Sequence, residues 1–119
     1  MIHIYGIPNC DTVKKARTWL IEQGLEHSFH DFKKQSPSVE QCLAWSQAVG
    51  WANLINKRGT TWRALNETSQ ASLMDDTSAA QLAHANPSLI KRPVVEWANG
   101  ETSVGFQADT WATRTGQGQ

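Results

Sequence analysis

A chain of 119 residues and 13.2 kDa has the size of one domain and too little material for two separate cores. With 39% apolar and 18% charged residues, and 11 Lys and Arg against 11 Asp and Glu, it is too apolar for a disordered chain and carries no global field for nucleic acid or anionic lipid. No apolar run approaches the roughly 20 residues of a membrane span, and the N-terminus has neither a basic flank nor a signal-peptide stretch, so a cytoplasmic protein is expected.

Residues 2–5 read as a short buried strand closed by Gly6 and Pro8. From Asp11 the period changes. Val13, Ala16 and Leu20 recur at helical spacing among Lys14, Lys15, Arg17 and Glu22, and Gly24 stands where a left-handed residue ends a helix. Residues 26–32 make a second strand, so the chain opens with a βαβ unit of parallel strands and right-handed crossover.

From about residue 38 to residue 86 strand patterning stops. Ser38 and Gln41 form a capping-box pair, Val39, Cys42, Leu43 and Val49 share a face, and Thr77 precedes a helical stretch at 79–85. Between these, Gly59 and Thr60 interrupt one helix, and Thr60 or Thr61 is expected to cap the next. Asn86-Pro87 ends the block, after which residues 94–97 and 102–105 flank Ala98-Asn99-Gly100-Glu101, a hairpin turn. Residues 108–111 suit one or two helical turns, and 113–119, with no apolar anchor, are expected to fray as a flexible tail. The order predicts one α/β domain over 1–112: a mixed sheet with a βαβ start and a ββα end, and an inserted helical block at about 38–90.

Two cysteines exclude a disulfide framework and leave each thiol as packing material or as chemistry. Cys10 falls between a strand's end and a helix's first residue, where unpaired amides and the positive end of the helix dipole favour thiolate over thiol. The adjacent Asp11 opposes that effect. The bland alternative for Cys10 is a small residue accommodated at a helix start. Cys42, on an apolar helix face, is expected to be packing. It is no local resolving partner either, because Val13 occupies the position that a Cys-x-x-Cys motif needs.

Arg92-Pro93 immediately precedes a strand, where a proline is admissible because no ladder N–H is required of it. Arg58 lies at the helix interruption, where an arginine can project into a cleft. Both arginines suit a carboxylate or oxyanion through planar paired donors, although spacing alone favours an exposed surface position for each, whereas Arg63 is expected to be solvated. Among the four histidines, His27 and His30 fall on opposite faces of a strand, so no metal site is expected. The six tryptophans are not interleaved with basic residues and are expected to pack rather than stack on single strands.

Residues 4–16 (IYGIPNCDTVKKA), 56–63 (NKRGTTWR) and 90–95 (IKRPVV) resemble, in order and separation, the arsenate reductase-like (ArsC/Spx) family, most closely its YffB-type branch. The resemblance implies a thioredoxin-like fold, a nucleophilic Cys10, anion-binding Arg58 and Arg92, and Pro93 as the proline characteristic of that fold. It further implies a thiol-dependent reductase with glutathione as thiol co-substrate, its carboxylates held by Arg58 or Arg92. Glutaredoxin or an oxidised protein is the partner implied beside glutathione. Glutaredoxin-coupled arsenate reductases carry a third arginine where this chain has Val104-Gly105-Phe106, which counts against arsenate. Spx regulators, which bind a protein partner, imply a non-catalytic binding module as the alternative, without the local Cys-x-x-Cys switch.

Overall fold

A computed structural model describes residues 1–116. β1 (Ile2–Gly6) passes through a tight turn into α1 (Asp11–Glu22), which returns the chain to β2 (His27–Asp31), parallel to β1 with Ile4 opposite Phe29. Gly24, at φ +69, reverses the chain after α1 in the left-handed conformation expected of it. Further on, β3 (Val94–Glu96) pairs antiparallel with the other side of β1, and β4 (Thr102–Val104) joins β3 through a hairpin. The sheet order is β2-β1-β3-β4, with β1 central, and α7 (Ala108–Thr115) closes the fold. This is the mixed thioredoxin-like sheet that the βαβ start and ββα end lead one to expect.

Period-two alternation divides β1 between two cores. Ile2 and Ile4 join Ala16, Leu20, Val95 and Trp111 under α1 and α7, while Tyr5 joins Phe32, Trp45, Leu54, Ile90 and Val94 beneath the helical block. At the end of β1, a Cβ on Gly6 would lie 2.8 Å from Val13 Cγ2. Val13 is fully buried and stiff at χ1, so it has nowhere to move. Glycine at position 6 therefore lets the first turn of α1, and Cys10 with it, sit against the strand's end.

The block begins with α2 (Val39–Val49), where Gln41 N donates to Ser38 Oγ and Ser38 N donates to Gln41 Oε1, both at 3.1 Å. It continues through the short α3 (Trp51–Leu54), α4 (Thr60–Ala64) and α5 (Glu67–Ala71) to α6 (Asp76–Ala85) and a 3-10 turn (Pro87–Leu89). Two helix starts differ from expectation. α6 begins before Thr77, because the Asp75 carboxylate already accepts from Ser78 N at 2.8 Å. Neither Thr60 nor Thr61 caps α4. Gly59 takes that place without a side-chain bond, and the Asn56 amide lies 3.2 Å from where its Cβ would be.

The third difference is at the C-terminus. Residues 113–115, expected in a frayed tail, belong to α7. Their anchor is a cation rather than an apolar residue: Arg114 lies 5.4 Å above the Trp97 ring and pairs with Glu101 at 3.3 Å. The Thr115 hydroxyl donates to Trp111 O at 2.8 Å. Residues 117–119 of that expected tail lie outside the described residues. Among the described residues no helix is long and apolar enough to cross a membrane.

A polar network runs through the block-side core. Glu96 accepts from the Tyr5 hydroxyl through Oε1 and from the Trp45 indole N–H through Oε2, both at 2.9 Å. Burial, then the hydrogen bond to Glu96 and its charge, push the Tyr5 phenol up. Beside it, His30 stacks on Tyr5 at 4.4 Å and sits 2.9 Å from His3 Nδ1 through its Nε2. Burial and the neighbouring His3 lower the His30 imidazole against the opposing pull of Glu96.

Candidate active site

Cys10 is the N-cap of α1, in extended conformation at φ −115 and ψ 126, with its carbonyl accepting from Lys14 N at 2.9 Å. The thiol is half-buried. Burial pushes it up, but the Val13 amide, the Arg92 guanidinium beside the sulfur with its charge, and the Thr12 amide together outweigh burial and hold it below the ordinary thiol range. The two amides act on Sγ without closing a regular capping hydrogen bond. The thiol is lowered even though the exposed Asp11 adjoins it. Cys42 has the opposite environment: it is fully buried, and burial pushes it up to about 11, so it remains a thiol.

The two arginines arrive from separate places, Arg58 from the turn between α3 and α4 inside the helical block and Arg92 from just past the block's end. Ile55 and Ile90 form an isolated antiparallel bridge, flanked by Asn56 N donating to Leu89 O at 2.7 Å and Lys91 N donating to Leu54 O at 2.8 Å. That strap brings residues 57–58 and 91–92 to one place beside the start of α1. Asn56 Oδ1 then accepts from Arg58 N at 3.1 Å, folding the turn that presents Arg58. Arg63 is exposed, as expected, and donates from Nη2 to Arg58 O at 2.6 Å, which ties that turn to α4. Arg92 donates from Nη1 to Ser88 O at 3.3 Å, while its Nε is buried without a partner. The Arg92-Pro93 peptide is cis, and Pro93, directly before β3, accepts from Gly105 N at 2.9 Å.

Cys10, Arg58 and Arg92 line one cleft of about 620 Å³, together with Lys57, Lys91 and Gly105. Position alone did not single out the two lysines as site residues. The visible signal is their adjacency to Arg58 and Arg92. Lys57 Nζ lies 5.4 Å from the Trp62 ring and 6.0 Å from the Trp51 ring. Among the described residues, four cations and no carboxylate or histidine line the cleft. A thiolate in such a place is a nucleophile without a general base, with fixed positive charge around it for an anionic partner.

Residues 5–114, which include Cys10, Arg58, Arg92 and Pro93, match the model of the ArsC family. An uncharacterised protein of Haemophilus influenzae is 43% identical over 106 residues, 89% of this chain and 91% of its own. The solved structure of a protein named YFFB superposes with a TM-score of 0.90 at 43% identity, covering 95% of this chain and 97% of that one. A global transcriptional regulator Spx of Streptococcus agalactiae is 28% identical over 116 residues, 92% of this chain and 79% of its own. Likeness of this extent takes in the whole sheet, the helical block and the cleft between them, and it places the chain in the ArsC family.

Proposed function

We propose that this protein is a thiol-dependent reductase of the cytoplasm in which Cys10 is the nucleophile and glutathione the thiol co-substrate. The observation that carries the reading is the placement of Cys10 at the start of α1, next to Arg92 in a cleft lined by four cations, surroundings that lower its thiol. The Cys10 thiolate attacks a sulfur of an oxidised substrate, the substrate's S–S bond breaks, and the departing thiolate takes a proton from solvent. Glutathione thiolate then attacks the sulfur bonded to the substrate fragment or to glutathione in the mixed disulfide, and Cys10 leaves as the thiolate. Arg58 and Arg92 hold the carboxylates of the partner through paired donors. Glutaredoxin or an oxidised protein fits the same exchange as a second partner.

Arsenate is the weaker substrate for this cleft, since Gly105 supplies no side chain where a third arginine would stand. Kinship with an Spx regulator favours one other reading, a module that binds a protein partner without turnover. That reading requires no adduct at Cys10. Incubation of the full chain with oxidised glutathione, read by intact mass and peptide mapping, is expected to add one glutathione at Cys10, and Cys10→Ser is expected to add none. An adduct confined to Cys42, or no adduct, contradicts the proposal.

A further inference from the structure

Lys91 occupies a position that neither arginine explains. Gly105 follows β4 at φ +80, a conformation that disfavours any side chain, and a Cβ there would lie 3.5 Å from Lys91 Cε. The lysine stem therefore runs along bare glycine backbone. Both backbones are fixed, Lys91 by its hydrogen bond to Leu54 O at 2.8 Å and Gly105 by its bond to Pro93 O at 2.9 Å. Lys91 also borders a second hollow of about 260 Å³ that reaches Gln107 and Arg114, so it stands on the divide between that hollow and the Cys10 cleft. Its neighbour Arg92 acts on the Cys10 sulfur, whereas Lys91 does not contribute to the thiol's shift. Among the described residues no carboxylate pairs with Lys91. Its charge is thus available to a part of the partner remote from the reacting sulfur.

We propose that Lys91, seated over Gly105, is a further specificity-determining cation, beside Arg58 and Arg92, by which the cleft selects disulfide partners bearing a carboxylate away from the sulfur. This rests on the thiol chemistry of Cys10 proposed above and adds the charge class of the partner and the residue that reads it. The covalent step is unchanged: Cys10 Sγ bonds to one sulfur of the disulfide, the original S–S bond breaks, and the other sulfur leaves as a thiolate.

The test compares rates of mixed-disulfide formation with oxidised glutathione, neutral hydroxyethyl disulfide and cationic cystamine. The wild type is expected to react fastest with the first and slowest with the last. One unit charge meeting another near water corresponds to about fivefold, so Lys91→Met is expected to lower the ratio of oxidised glutathione to hydroxyethyl disulfide rates about fivefold. Lys91→Arg is expected to restore most of it. Lys33→Met, which removes the same charge from an exposed position outside the cleft, is expected to leave the ratio at the wild-type value. A ratio unmoved by Lys91→Met, or lowered equally by Lys33→Met, overturns the Lys91 assignment and leaves the thiol chemistry standing. A wild type inert to all three disulfides overturns that chemistry and the assignment with it.

Discussion

Arg92→Ala is expected to raise the pH midpoint of Cys10 ionisation and to slow its reaction with oxidised glutathione at neutral pH about tenfold. Burial alone pushes this thiol up, and of the groups that oppose it, Arg92 is the one side chain, acting as a polar donor beside the sulfur and through its charge. Losing it leaves the Val13 and Thr12 amides, which are backbone and stay in place. The rise cuts the thiolate fraction at neutral pH, while the more basic anion regains part of that loss in intrinsic nucleophilicity, so a neutral disulfide is expected to slow less than oxidised glutathione. The larger loss with oxidised glutathione comes from the missing cation beside an anionic partner. Thiolate absorbance against pH and rates with the two disulfides measure these separately. An unchanged midpoint in Arg92→Ala would show that the guanidinium does not reach the sulfur.

Glu96→Ala is expected to destabilise the fold by about 2–4 kcal/mol, because it removes the acceptor of two donors at once. Trp45 is 1% exposed and Tyr5 9%, so neither indole N–H nor phenol finds bulk water without rearrangement. An unpaired buried donor costs about 1–3 kcal/mol, and partial wetting of the Tyr5 end keeps the sum below the upper limit. Glu96→Gln retains one carbonyl acceptor and is expected to lose about half as much. The urea midpoint should fall with an unchanged slope. A loss under about 0.5 kcal/mol for Glu96→Ala would mean that water already serves both donors.

The opening βαβ unit was legible because its signals are local: the change of period at Cys10, the apolar spacing of Val13, Ala16 and Leu20, and Gly24 at the turn. The Ser38–Gln41 box was legible for the same reason. Cys10 was marked as a reactive position by the strand-to-helix turn alone, and the structure supplies the amides on which that expectation rested. Arg58 and Arg92 were different. Spacing left them as surface residues, and only the family resemblance singled them out, because their meeting depends on the Ile55–Ile90 bridge between remote segments.

Glu96 gave no sign of its role, since a lone acid in a short strand reads as solvent-facing until Trp45 is seen to descend on it from α2. Likewise, His3 and His30 meet only through the parallel register of β1 and β2. The full length of α7 is not visible in the sequence because residues 113–115 carry no apolar anchor, and a cation over an indole ring does the holding.

The most direct test of the account is the rate of iodoacetamide alkylation at each cysteine of the folded chain as a function of pH, resolved by peptide mass. Cys10 is expected to react with a midpoint clearly below the roughly 8.5 of a free thiol, and Cys42 to stay unmodified until the protein unfolds. A Cys10 midpoint at or above the free-thiol value, or equal labelling of the two cysteines in the native state, would contradict the proposal that Cys10 is the working nucleophile.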